Sequence, residues 1–231
     1  RAMNRRCNII DTTLREGEQT PGILFSLSEK KRIIDGLAQI GVTEVELGIS
    51  SRFHSCLKPL VQYCRNKYPK LRLSLWCRCS AEDISHAAEM QPDILSLSIP
   101  TSDIHLQDRL KKDRSWAMAK MMSGIDFSKQ LNMSISIGFE DATRSDTTFL
   151  KKMANSAVLG GAERIRLADT VGIASPPDFA RLVAEMATQL RDCSIAVHTH
   201  NDFGMATANA IAALEAGANT VDAVVLGLGE R

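Results

Sequence analysis

No apolar run in this 231-residue sequence approaches the roughly 20 residues that a bilayer-spanning helix requires, which excludes a helical membrane span. Charge of one sign is equally missing. The sequence has 28 basic residues against 27 acidic, a formal +1, and so gives no electrostatic case for nucleic acid or another polyanion. The basic start, Arg1-Ala2-Met3-Asn4-Arg5-Arg6, is followed by no apolar h-region. It reads as a tag-derived or frayed end and not as a signal peptide. The cysteines Cys7, Cys56, Cys64, Cys77, Cys79 and Cys193 include no C-x-x-C pair, which removes a zinc knuckle and a disulfide scaffold. A reduced, cytoplasmic protein is the simplest reading. Cys77 and Cys79 share one strand face, where packing and pocket lining are the two readings.

What is present is an ordinary globular composition, 44% hydrophobic and 24% charged, read as one domain over residues 1–231. Eight short runs of β-branched or alternating apolar residues recur: Cys7–Asp11, Glu44–Gly48, Arg72–Trp76, Ile94–Ile99, Met133–Gly138, Arg164–Ala168, Ile195–His198 and Thr220–Leu226. Helical stripes lie between them. Ile33, Ile34, Leu37, Ala38 and Ile40 form one, preceded by the capping box Ser26-Leu-Ser-Glu29; Phe179, Leu182, Val183, Met186 and Leu190 form another behind Pro176 and Pro177. A weak repeat accompanies them: Gly41-Val-Thr-Glu-Val-Glu-Leu, Gly161-Ala-Glu-Arg-Ile-Arg-Leu and Gly217-Ala-Asn-Thr-Val-Asp-Ala each follow a helix, with the glycine placed to end it. Strict strand–helix alternation predicts parallel strands, and eight of them predict an α/β (β/α)₈ TIM barrel. Only Gly227-Leu-Gly-Glu-Arg231 follows the eighth strand, so the barrel is expected to be C-terminally incomplete, without its last helix and any lid.

Chemistry in such a barrel sits where the strands end. Those ends carry Arg15-Glu16, Glu46, Arg78, Ser98, Glu140-Asp141, Asp169-Thr170 and His198-Thr-His200-Asn-Asp202, a crowd of polar residues that packing does not explain. In a strand, residues i and i+2 face one side, so His198 and His200 would both face the mouth. Two imidazoles so placed, with an acidic side chain from elsewhere, can share a divalent cation and leave positions open for substrate. A pair of hydrogen-bonded rim histidines is the bland alternative. His54, His86 and His105 read as surface groups in loop or helical surroundings. In Asp11-Thr-Thr-Leu-Arg15-Glu16-Gly-Glu-Gln19, a carboxylate beside an arginine pairs a ligand with a fixed cation for a developing oxyanion, against the alternative of a surface salt bridge.

The motif D-T-T-L-R-E-G-E-Q, joined to H-x-H-N-D and G-x-G-E-R, resembles the isopropylmalate synthase and homocitrate synthase family of the DRE-TIM metallolyase superfamily, over nearly the whole chain. The resemblance implies condensation of acetyl-CoA with a 2-oxo acid. It implies Glu16, not Asp11, with His198 and His200 as ligands of Mg²⁺, Mn²⁺ or Zn²⁺. It gives catalytic roles to Arg15 and Glu46, and a substrate pocket to Arg15, Gln19, Glu140 and Thr170. A further asparagine ligand would follow Arg231, and a catalytic histidine and lid would come from a C-terminal region, often of a partner subunit; a homodimer is expected.

Glu16, Ala168-Asp169-Thr170-Val-Gly172, Asn201, Trp76-Cys-Arg78 and Leu97-Ser98-Ile-Pro-Thr-Ser102-Asp103 are similar to the homocitrate synthases of nitrogen-fixing bacteria. That implies 2-oxoglutarate as the acid, with isopropylmalate, citramalate and Re-type citrate synthesis as alternatives. Fungal homocitrate synthases hold the distal carboxylate with an arginine where this chain has Ser136, so Arg166, or failing that Arg78, is expected to supply the cation. An outward Arg166 in a helix–strand salt bridge is the competing expectation. A hydroxymethylglutaryl-CoA-lyase-like enzyme would carry D-G-L-Q after the arginine, where Gly17-Glu18-Gln19 stands. A metal-dependent amidohydrolase would carry H-x-H on its first strand. A non-catalytic binding barrel is the remaining alternative.

Overall fold

Alternation along each strand sorts the side chains into two shells. In Arg164-Ile165-Arg166-Leu167 the arginines face the barrel axis, while Ile165 and Leu167 join an apolar layer under the helices. The computed structural model describes residues 7–50 and 56–231, so His54 lies outside the described residues. Eight parallel strands close a barrel in sequence order: β1 Asn8–Asp11, β2 Glu44–Ile49, β3 Arg72–Arg78, β4 Ile94–Pro100, β5 Ile135–Glu140, β6 Arg164–Ala168, β7 Ser194–His198 and β8 Thr220–Ala223. Seven α-helices follow the first seven strands: α1 Leu27–Gln39, α2 Leu57–Lys67, α3 Ala81–Glu89, α4 Arg114–Gln130, α5 Thr147–Gly160, α6 Pro176–Gln189 and α7 Ala206–Ala216. None of these helices is long and apolar enough to cross a membrane.

Local chemistry sets the helix ends. Ser26 and Glu29 form the expected capping box on α1, and Ser80, Asp113, Asp146 and Ser175 cap α3, α4, α5 and α6. The three repeat glycines, Gly41, Gly161 and Gly217, take positive φ values of 84°, 109° and 124°, turning the chain from helix to strand. β8 ends at Ala223, short of the expected Leu226, because Val225–Gly227 turns as a 3-10 helix with Leu226 at φ 55°. β5 begins at Ile135 and not Met133, and β3 runs on to Arg78. Cys77 and Cys79 belong to the outer apolar layer, so they pack and do not line a pocket; Cys79 lies against Gly124 of α4.

The inner shell departs from the bulky apolar layers usual in such barrels. Ser74, Ser96 and Ser136 are fully buried there, together with Glu44, Glu46, Arg164 and Arg166. Nearest the N-terminal ends of the strands lies a two-pronged pair, with Arg164 Nη1 and Nη2 donating to Glu44 Oε2 and Oε1 at 2.9 and 2.7 Å, and Nε donating to Ser136. Ser136 therefore sits with Arg164, one layer below Arg166. Removing one partner of a buried pair strands the other charge. Glu44→Ala is accordingly expected to cost about 3–5 kcal/mol in urea unfolding, with Glu44→Leu/Arg164→Met far closer to wild type. A loss below about 1 kcal/mol for the single change, the range of surface pairs, would contradict this.

Candidate metal centre

Glu16 leaves β1 through a turn in which its own amide donates to the Thr12 carbonyl, placing the carboxylate across the mouth from β7. His198 ends β7 and His200 follows it, their rings 4.9 Å apart and nearly perpendicular. Glu16 Oε1 lies 3.4 Å from His200 Nε2, and Oε2 lies 3.7 Å from His198 Nε2. All three side chains are buried, and their donor atoms lie within 4.8 Å of one another.

The outer nitrogens fix the inner ones. His198 Nδ1 lies 2.7 Å from Asp222 Oδ2, and His200 Nδ1 lies 2.9 Å from the Asp169 carbonyl. Both oxygens only accept, so each Nδ1 carries a proton, and each Nε2 is the nitrogen turned toward Glu16, where it can hold either a proton or a cation. Two such nitrogens and a carboxylate converge in a buried space, and the donor set fits a divalent metal. Burial opposes the charge on Glu16, but His200, His198, Arg15 and the Glu230 amide outweigh it and hold its pKa well below the usual carboxylate range. Burial likewise depresses His200, yet Glu16 and the Asp169 carbonyl raise it overall. Gly229 lets the chain pass: a Cβ there would come 2.8 Å from Glu16 Cγ.

A chain of ion pairs runs from the cluster into the barrel. Arg15 Nη1 meets Glu16 Oε2 at 2.5 Å, and Arg15 Nε meets Glu46 Oε1 at 2.7 Å. Glu46 Oε2 takes Arg166 Nη1 at 3.0 Å, and Arg166 Nε lies 3.2 Å from Asp222 Oδ2, which closes the circuit at His198. Arg166 also donates to Ser96, while its Nη2 finds no partner. Arg166 thus faces inward, and the outward salt bridge is not formed.

Arg15, Glu16, Gln19, Glu140, Arg166 and Thr170 line one cavity of about 260 Å³ that ends on both histidines. In it Ser98 donates to Glu140 Oε1 at 2.6 Å, and the Thr170 hydroxyl accepts from the Asp141 amide. A larger cavity of about 660 Å³ reaches the same cluster from the β7–β8 side, past Ala206, Ala210 and Leu228. Two expectations change here. Arg78 is not brought to the mouth: its side chain, 71% exposed, turns to Asp83 at the start of α3. Glu46 is wholly buried with both oxygens engaged, so it holds Arg15 and Arg166 and cannot touch a substrate. His86 and His105 are half-buried rather than superficial, His86 sharing a hydrogen bond with Ser50 and His105 lying 3.9 Å from Glu140.

Asp222 belongs to none of the sequence motifs that mark the other site residues, although the repeat marks its position. The fifth residue after each repeat glycine is Glu46, Arg166 or Asp222, the three groups joined at the centre of the barrel.

Comparison with known proteins follows the same lines. The HMGL-like family profile matches residues 6–231. A 2-isopropylmalate synthase 2 of Caldanaerobacter subterraneus is 41% identical over 223 residues, 96% of this chain and 58% of that protein. The homocitrate synthase subunit alpha of Clostridium pasteurianum is 34% identical over 224 residues, 97% of this chain and 82% of that one. The chain thus spans little more than half of the first relative and most of the second. The crystal structure of Bacillus subtilis HMG-CoA lyase superposes with a TM-score of 0.84 over 98% of this chain and 79% of that one. At 17% identity, that likeness bears on the fold alone.

Glu46 supplies a pH test. Burial opposes its ionisation, but Arg166 and Arg15 hold its pKa below the usual range. The unfolded chain takes up that proton first, so the stabilisation is present above about pH 4.3 and is lost as pH falls toward the depressed folded value. In urea unfolding with EDTA, wild type is expected to lose stability relative to Glu46→Gln as pH falls below about 4.3. A difference constant from pH 7 to 3 would contradict the assignment.

Proposed function

The chain belongs to the HMGL-like family, and from that premise we propose that it forms the catalytic barrel of an enzyme condensing acetyl-CoA with a 2-oxo acid. The observation that carries this reading is a three-donor cluster opening on a small cavity whose lining cations are Arg15 and Arg166. The names of the relatives, a 2-isopropylmalate synthase and a homocitrate synthase subunit, support the same class of reaction. Glu16, His198 and His200 would hold a divalent cation, which would supply Lewis acidity toward a carbonyl oxygen, and the donors suit Mg²⁺, Mn²⁺ or Zn²⁺.

The protein's own groups do the rest. Arg15, fixed by Glu16 and Glu46, offers a preorganised positive charge to the keto oxygen as negative charge builds there. Gln19, Glu140 and Thr170 orient the acid along the cavity wall. The methyl carbon of acetyl-CoA gives its proton to a base and bonds to the keto carbon, after which water cleaves the thioester and releases CoA. Arg166 Nη2, a buried donor without a partner, selects an acid with a second carboxylate, which favours 2-oxoglutarate and homocitrate. Six free cysteines and a balanced charge support a cytoplasmic setting.

Full-length protein is expected to release CoA from acetyl-CoA with 2-oxoglutarate, and EDTA to abolish that release. Preference for 2-oxoisovalerate, pyruvate or oxaloacetate would change the acid and keep the reaction; no EDTA-sensitive release with any acid would overturn the reading. Arg166→Lys keeps a charge between Glu46 and Asp222 but removes the free nitrogen. It is expected to raise the KM for 2-oxoglutarate about tenfold or more, the cost of a hydrogen bond to a charged group, while leaving the KM for acetyl-CoA nearly unchanged. An equal rise for both substrates, or none, would contradict the role of Arg166.

A further inference from the structure

We infer that Asp222 is a positioning residue for the metal centre, aiming His198 at the cation while Arg166 holds Asp222 in place. The inference rests on the metal reading of Glu16, His198 and His200.

Asp222 lies on β8 opposite Ile10 of β1, facing the axis, with its side chain 3% exposed. One of its oxygens does two tasks: Oδ2 receives the His198 Nδ1–H at 2.7 Å and faces Arg166 Nε at 3.2 Å. A carboxylate receiving that proton fixes the tautomer, stops the ring from turning and makes Nε2 a stronger donor to a cation. His200 is held differently, by the neutral Asp169 carbonyl. The two imidazoles therefore differ in kind: His198 is backed by a full negative charge and His200 by a dipole.

Charge balance points the same way. Around the circuit three carboxylates, Glu16, Glu46 and Asp222, face two guanidinium groups, Arg15 and Arg166. The surplus negative charge is buried, and Asp222 Oδ1 adds an acceptor with no partner. Arg166 already has Glu46, so Asp222 is the carboxylate beyond what the two guanidinium groups neutralise, and a cation on the far side of the His198 ring would offset it. Arg166 keeps Asp222 from swinging, because the guanidinium is itself pinned by Glu46 and Ser96.

The test measures Mn²⁺ affinity by competition with a chelator in full-length wild type, Asp222→Asn, Asp222→Ala and His198→Ala, with thermal unfolding in EDTA alongside. Asp222→Asn keeps an acceptor and loses the charge. It is expected to weaken Mn²⁺ binding about 10- to 100-fold, with Asp222→Ala weaker still. If Asp222→Ala does not fold, Asp222→Asn compared in wild-type and Arg166→Met backgrounds carries the test, and affinity must fall in both. Wild-type affinity in Asp222→Asn, with binding lost in His198→Ala, would overturn this inference and leave the metal reading standing. Wild-type affinity in His198→Ala would overturn both.

Discussion

Six side chains from four strands and one strand-end loop close a circuit of ion pairs and polar contacts across the barrel, from Glu16 through Arg15, Glu46, Arg166 and Asp222 to His198 and back to Glu16. Burying charges this deeply is expensive, and each survives only because its neighbours neutralise it and accept its hydrogen bonds. The circuit therefore cannot relax in one place without stranding a charge in another. That rigidity sets the aim of the Glu16 carboxylate and the His198 ring, and with them the donor cluster. The guanidinium groups that line the cavity are fixed by the same pairs, so the electrostatics of the site are laid down with the fold and need little rearrangement when a substrate enters.

The barrel makes such a circuit reachable. Parallel strands put every second residue on the axis, and neighbouring strands bring Gly138 beside Arg166 and Ile10 beside Asp222 at matching heights. The apolar alternates, Leu47, Leu75, Ile165 and Val197 among them, meanwhile anchor the strands to the helices. Stability and chemistry are thus carried by opposite faces of the same strands. At the rim, the Glu230 amide donates to Glu16, and Arg231 reaches Asp202 and the Thr170 carbonyl, so the segment after β8 ties the loops of β1, β6 and β7 together.

Much of this was legible in the sequence because it depends on periods and local caps. Strand–helix alternation gave the barrel, the Ser26–Glu29 box and the repeat glycines gave the turns, and the i, i+2 spacing put His198 and His200 on one side. What escaped depended on partners distant in sequence. Arg78 shares the strand parity of Trp76, which lines the cavity, but Asp83 five residues on captures it at the start of α3. Glu46 is drawn away from substrate contact by two arginines at once. Asp222 was hidden in a short strand, although its place in the repeat matches Glu46 and Arg166; periodicity marked the position, and only the closed barrel brought the three together.

One cation at the end of the circuit is what the whole arrangement would serve. Crystals of the protein soaked in Mn²⁺ and measured for anomalous scattering should show a single strong peak between Glu16 and the Nε2 atoms of His198 and His200. In crystals of Glu16→Gln that peak should be absent or much weaker. No peak at the cluster in wild type, or an undiminished one in Glu16→Gln, would contradict this reading of the cluster.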